Sequence, residues 1–122
     1  MISILLIEDN TVFRESFKQS LHELFPHVVI AEASSGEEGL QKVNGHPPHL
    51  IFMGLRLPGM NGLQATRKIK SDFPNIHIAI LTGYDVPEYK EAALKSGAEH
   101  FFAKESLDWE EVKGLVKSIE QT

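Results

Sequence analysis

Five short apolar runs, each followed by a segment with helical spacing of its apolar residues, constrain this chain most. Most of the runs are rich in Ile, Leu, Phe and Val, as in strands that are buried on both faces, whereas the second, 28–33, is shorter and less apolar. Strand and helix in alternation indicate a parallel sheet with right-handed crossovers and helices on both faces, a doubly wound α/β fold. The sequence predicts strands at residues 2–7, 28–33, 50–53, 76–81 and 100–103.

Capping residues mark where several of the intervening helices begin. Asn10 or Asp9 can cap the first helix, and Ser35 with Glu38 three residues later has the pattern of a capping box. Ser106 is expected to cap the last helix, and Trp109 near its start is expected in the core. The first helix has one apolar stripe, which consists of Phe13, Phe17, Leu21 and Leu24.

Length, charge and composition exclude several classes of protein. The 122 residues suffice for one domain with one core. The net charge is -5 and Lys and Arg form no run, which disfavours a nucleic-acid-binding surface. The chain has no cysteine, which excludes disulfides and thiolate chemistry. The first apolar run is too short for a signal peptide or a membrane span, so the expected location is cytoplasmic.

Polar residues follow several of the predicted strands, at the point where each strand ends. The carboxyl ends of parallel strands meet at one edge of the sheet, where ligands bind. Glu8 and Asp9 follow the first strand, Thr82 the fourth and Lys104 the fifth. Taken singly, each has an ordinary explanation as a helix cap, a turn residue or a solvated lysine. Together they predict a crevice suited to a divalent metal ion and a phosphoryl group.

The chain from Ile4 to about Ile119 resembles the receiver domain of bacterial two-component response regulators. The motifs that carry the resemblance are ILLIEDN, LRLPGMNG, the Thr82-Gly83 pair and FFAK ending at Lys104, in matching order and spacing. The resemblance implies a flavodoxin-like (βα)5 sheet with strand order 2-1-3-4-5, two helices on one face and three on the other. It also implies a single receiver domain over residues 1–122 and no enzyme activity.

The resemblance assigns roles to the residues at the strand ends. Glu8, Asp9 and the backbone carbonyl of Arg56 match the positions that hold Mg²⁺. Gly54 matches the aspartate that accepts a phosphoryl group from a sensor histidine kinase. The positions that match the phosphoryl pocket and its switch are Thr82, Gly83, Phe101 and Lys104, where Phe101 lacks the hydroxyl that is frequent there.

Glycine at residue 54 has three expected consequences. No carboxylate is present to form an acyl phosphate, so this form is not phosphorylatable there. Mg²⁺ loses one oxygen ligand and should bind more weakly. Like-charge repulsion in the pocket falls, which leaves Lys104 free to pair with Glu8 or Asp9. Two origins fit: a degenerate receiver that signals by binding alone, or a substitution in an aspartate-containing parent.

The partners implied are a sensor histidine kinase and, beyond the sequence given, a helix-turn-helix output domain that controls transcription. The oligomeric state is open, with a homodimer among the alternatives. The alternative function is a phosphorylation-independent interaction domain that uses the fourth helix, fifth strand and fifth helix. A flavodoxin-like enzyme or cofactor binder ranks third, because no cofactor motif is present. Glu105 follows Lys104 where many receivers have proline, and a trans peptide bond is expected.

Overall fold

The computed structural model describes residues 2–121, which form one five-stranded parallel sheet in the order β2-β1-β3-β4-β5. The strands are β1 (Ser3–Ile7), β2 (Val29–Ala33), β3 (Leu50–Gly54), β4 (His77–Thr82) and β5 (His100–Ala103). The helices are α1 (Thr11–Leu24), α2 (Gly36–Gly45), α3 (Gly62–Asp72), α4 (Pro87–Lys95) and α5 (Trp109–Glu120). The predicted fold class and strand order are confirmed.

Two apolar layers cover the two faces of the sheet. On one face, α1 and α5 pack against side chains that include Phe17, Leu21, Val112 and Val116. On the other face, α2, α3 and α4 contribute Val43, Ala65, Ile69 and Ala93. The expected division of the helices into two and three is therefore confirmed. No helix within residues 2–121 has the length and hydropathy needed to cross a bilayer.

The central strand β3 is buried along its whole length, as its unbroken apolar sequence predicts. Phe52 meets Phe17 of α1 edge to face at 4.9 Å between ring centroids. Trp109 lies 4.9 Å from the same Phe17 ring, so its predicted place against the core is confirmed. The register pairs Gly54 with Leu81, which brings the carboxyl ends of β3 and β4 together at one edge.

The start of α5 differs from its prediction. Ser106 does not cap this helix, because Lys104–Ser106 forms a short 3-10 turn. The cap is Asp108, whose side chain accepts a hydrogen bond from the N–H of Glu110 at 2.9 Å. Between the two, the backbone of Leu107 is extended and its side chain packs against the core. The helix therefore begins only after this partly buried apolar residue.

Two details of the earlier helices also correct the predictions. Leu24 is 38% exposed, whereas Phe25 is 4% exposed, because α1 ends at Leu24 and the non-helical backbone at Phe25 turns the next side chain inward. Ser35 caps α2 as predicted, but Glu38 accepts its hydrogen bonds from the N–H and hydroxyl of Ser34. The capping box is thus only half formed.

Candidate functional site

The carboxyl edge of the sheet carries a pocket of about 220 Å³. It lies where β1, β3, β4 and β5 end, as the sequence predicts for a parallel sheet. Six of the predicted residues line it: Glu8, Asp9, Arg56, Thr82, Gly83 and Lys104. Phe101 does not line this pocket but packs on the face covered by α2, α3 and α4. The backbone at Lys104–Glu105 is trans, as predicted, and residues 2–121 contain no cis peptide bond.

Glu8 is the most firmly held side chain in the pocket, and it is 2% exposed. Its N–H donates to the carbonyl of Ala33 at 2.9 Å, and its own carbonyl accepts from Arg14 Nη1 at 2.6 Å. Its side-chain Oε2 accepts from the N–H of Asn10 at 2.9 Å. Only Oε1 is left to interact with the groups across the pocket.

Lys104 pairs with that remaining oxygen. Its Nζ lies 2.9 Å from Glu8 Oε1, and it also lies 4.4 Å from the centre of the Phe13 ring. A buried carboxylate is costly unless a cation or hydrogen-bond donors compensate it. The predicted pairing of Lys104 with one of the two acids is therefore confirmed, and the partner is Glu8.

Gly54 is the buried last residue of β3 and lies next to the Glu8 carboxylate. A Cβ atom at residue 54 would lie 3.0 Å from Glu8 Oε1, and 3.3 Å from both the Ile7 carbonyl oxygen and Leu57 Cδ2. The Glu8 carboxylate thus leans over the position that a side chain at residue 54 would fill. A larger residue would have to push the end of the Glu8 side chain aside.

Arg56 and Tyr84 line the pocket, and Tyr89 contacts Arg56. The hydroxyl of buried Thr82 accepts from the N–H of Tyr84 at 3.0 Å, which fixes the turn after β4. The Arg56 guanidinium lies 4.1 Å from the centre of the Tyr84 ring. Its Nη2 is 3.5 Å from Tyr89 Oη, and this contact, followed by Tyr84, raises the pKa of Arg56 above its ordinary value.

The sequence matches the response regulator receiver domain family over residues 4–117. The chain belongs to this family. It is the receiver domain of a two-component response regulator, and its five-stranded topology agrees with that assignment.

Individual relatives agree with the family match. The receiver is 39% identical over 108 residues to the oxygen regulatory protein NreC of Staphylococcus epidermidis, covering 88% of this chain and 50% of that protein. It is 31% identical over 120 residues to the transcriptional regulatory protein DegU of Brevibacillus brevis, covering 98% of this chain and 50% of DegU. The receiver therefore spans about half the length of these curated relatives.

A solved structure shows the same fold over the full chain. It is the signal receiver domain of a DNA binding response regulator protein (merR) from Colwellia psychrerythraea 34H. Its TM-score is 0.92 at 27% identity, and the match covers 100% of both chains.

Sequence reasoning missed several residues that shape the receiver's pocket. Asn10 was expected only as a helix cap, and it also donates its N–H to Glu8. Arg14 holds the Glu8 carbonyl and pairs with Glu32 at 3.2 Å. Phe13 was assigned to the apolar stripe of α1, yet its ring also contacts the Lys104 ammonium. Nothing in the local pattern distinguishes these roles from capping, surface charge and core packing.

The side chains present do not fit a magnesium ion in this arrangement. Mg²⁺ is held by oxygen ligands, usually one or two carboxylates together with several waters. Glu8 Oε2 accepts a backbone N–H and Glu8 Oε1 faces the Lys104 ammonium, so Asp9 is the acid left exposed. Residues 2–121 contain no group of three or more acidic or histidine side chains that could hold a metal ion. A divalent ion at Glu8 would have to displace Lys104.

A second depression, of about 460 Å³, lies between α4, β5 and α5. Phe101, Phe102, His100 and Leu115 line it, together with Leu94, which is 49% exposed. Phe101 therefore lies beside this surface, which is the face proposed from the sequence for binding other proteins.

His100 makes the stability of this face dependent on pH. Burial, opposed in part by the charge of Glu99, lowers the pKa of His100 below its ordinary value. The neutral ring is therefore favoured on folding, and its stabilising effect is present above the unfolded-state pKa and lost as pH falls through the folded-state pKa. His100→Gln is expected to flatten this decline in urea denaturation below about pH 6.5. His22→Gln on α1 is the control, and an equal change in both variants would contradict the assignment.

Proposed function

We propose that this receiver is part of a response regulator that controls transcription, and that in the present sequence it cannot be phosphorylated at residue 54. The observation that carries this proposal is the glycine at the end of β3, next to the Glu8 carboxylate that pairs with Lys104. Six of the other predicted residues, all except Phe101, line the pocket at this edge of the sheet. The pocket thus has the surroundings of a phosphoryl site without the group that would carry the phosphoryl.

Neighbouring residues are poor substitutes for the missing nucleophile. Formation of an acyl phosphate requires a carboxylate oxygen to attack phosphorus while the leaving group of the donor departs with its electron pair. Glu8 Oε1 is buried and paired with Lys104. Asp9 is exposed beyond the end of β1, on a different strand from residue 54. The hydroxyl of Thr82 is buried and already accepts a backbone N–H.

Apart from the missing acceptor at residue 54, we propose for the pocket residues the roles that the family pattern suggests. We assign Thr82, Gly83, Phe101 and Lys104 to the phosphoryl pocket and switch. Glu8, Asp9 and the Arg56 carbonyl match the positions that hold Mg²⁺ in the family, but here they would bind it only after Lys104 leaves Glu8, and weakly, because one acidic ligand is missing.

The partners follow from the relatives. DegU is described as a transcriptional regulatory protein, and the Colwellia relative as a DNA binding response regulator. Both descriptions support a DNA-binding output domain joined to this receiver. A sensor histidine kinase is the signalling partner that the family resemblance implies. The receiver matches half the length of DegU, so we assign the proposed output function to a separate domain and not to residues 2–121.

A second candidate function is a binding module that works without phosphorylation. The surface between α4, β5 and α5 favours it, because this surface combines a 460 Å³ depression with the exposed side chain of Leu94. Lys90 and Glu111 also line it and would give a partner charged contacts beside the apolar side chains.

Acetyl phosphate with Mg²⁺, followed by intact-mass analysis, tests the proposal. The chain as given is expected to show no added phosphoryl group, whereas Gly54→Asp should be modified in most molecules. The new Cβ would meet only the movable end of Glu8 within 3.0 Å, so the variant should fold. Gly54→Asn is the matched control, since it has the shape of aspartate without the nucleophile.

The three possible results of this experiment point to different conclusions. Modification of the unaltered chain would contradict the proposal. Modification of Gly54→Asp alone would support a receiver that lacks only its acceptor. A folded Gly54→Asp that remains unmodified would favour the binding module instead.

A further inference from the structure

The Lys104 ammonium is held by two groups of this chain. The Glu8 carboxylate lies 2.9 Å from Nζ, and the face of the Phe13 ring lies 4.4 Å from it. A carboxylate and an aromatic face are both favourable neighbours for a bound cation. The lysine side chain is 23% exposed, so most of it is removed from water. Together these contacts form a cation site that the chain itself fills.

Glu8 needs a positive charge at this position. Hydrogen bonds fix its main chain on both sides, and Asn10 fixes Oε2, so Oε1 cannot easily turn to solvent. The side chain is 3% exposed, and an uncompensated carboxylate is costly at that depth. In a pocket with a third acid, a divalent ion could supply the charge. With glycine at residue 54, one ammonium balances one buried carboxylate.

We propose that Lys104 is a built-in cation that takes the place of a divalent ion at Glu8. The pocket then keeps its charge balance and its stability in the absence of metal. Mg²⁺ gains access to Glu8 only when the Lys104 ammonium is removed. This inference rests on the proposed function only in that residue 54 supplies no carboxylate, and its test uses no phosphoryl donor.

The experiment is a thermal denaturation series with increasing MgCl₂, at ionic strength kept constant with KCl. Lys104→Met is expected to melt at a lower temperature without Mg²⁺ and to recover as Mg²⁺ is added. Its apparent Mg²⁺ affinity should exceed that of the unaltered chain by about tenfold or more, because a repelling charge next to the ligand oxygen has been removed. Lys113→Met is the matched control, since Lys113 pairs with the exposed Glu110 at 3.0 Å.

A second variant identifies where the ion acts. In the double variant Glu8→Gln with Lys104→Met, the buried charge is absent, so the Mg²⁺ response of Lys104→Met should disappear. A folded Lys104→Met with no greater Mg²⁺ response than the unaltered chain would overturn the proposal. Retention of the response in the double variant would overturn it also, because the ion would then act elsewhere.

Variants that fail to fold also test the proposal. If Lys104→Met stays unfolded at every Mg²⁺ concentration while the double variant folds, the ion cannot replace the ammonium and the proposal fails. If neither variant folds, Lys104 is required for packing rather than for the charge of Glu8, and the proposal fails in that case too. Circular dichroism of each variant with and without Mg²⁺ distinguishes these results.

Discussion

Gly62→Ala is expected to lower the free energy of unfolding by about 3 kcal/mol, because its methyl group would overlap the main chain. A Cβ at residue 62 would collide with the carbonyl oxygen of Gly54 and would lie 3.0 Å from Cα of Leu55. The N–H of Gly62 also donates to the Leu55 carbonyl at 2.8 Å, so the start of α3 is fastened against the end of β3. Neither the Gly54 carbonyl nor the Leu55 Cα can move away from this methyl group without shifting the end of β3 and Leu55, which lines the pocket.

The same substitution elsewhere should have the opposite effect. Gly114 lies inside α5, and a Cβ there would meet no atom within 4 Å. Gly114→Ala is therefore expected to raise the free energy of unfolding by about 0.5–1 kcal/mol, since alanine loses less backbone entropy in a helix. Urea denaturation of both variants measures the difference. A loss of similar size in the two variants would contradict the explanation from close packing at Gly62.

Lys104→Met in metal-free buffer at neutral pH is expected to lower the free energy of unfolding by about 3 kcal/mol, because Glu8 would remain buried without its cation. Glu8→Gln alone should cost about 1–2 kcal/mol, since a neutral amide can keep part of the hydrogen bonding. In the Glu8→Gln variant, the further substitution Lys104→Met should lower the free energy of unfolding by little more. Urea denaturation of the two single variants and the double variant gives the coupling energy.

The magnitude of that coupling separates a buried pair from a surface pair. We expect at least about 1.5 kcal/mol for Lys104 with Glu8, whereas pairs between exposed side chains couple by about 0.2–1 kcal/mol. Lys113 with Glu110 provides this comparison in the same protein, since Glu110 is 77% exposed. Additive losses for Lys104 and Glu8 would mean that the 2.9 Å contact contributes nothing to stability.

Much of the fold was predictable because its determinants are local. Continuous apolar runs predict strands that are buried on both faces, and β3 is such a strand. Some local signals were present but overlooked. Asn61 and Gln64 form a complete capping box at the start of α3, in which each side chain accepts from the backbone of the other residue. The start of α5 was mispredicted because Ser106 and Asp108 are both good caps, and the packing of the partly buried Leu107 against the core favours the second.

The sequence by itself determined which chemical groups this pocket contains. Alternating strands and helices form a parallel sheet, whose strands have their carboxyl ends at one edge. Glu8, Thr82 and Lys104 follow three of these strands and therefore lie around one pocket. The same pattern placed a glycine at the end of the third strand.

Only the tertiary structure decided how those groups are arranged. It turned the Glu8 carboxylate over Gly54 and brought Lys104 between Glu8 and the Phe13 ring. The physical reason is that burial and charge balance depend on neighbours that are distant in the sequence. Strand and helix patterns depend on neighbours that are close in the sequence, and these are visible in the sequence alone.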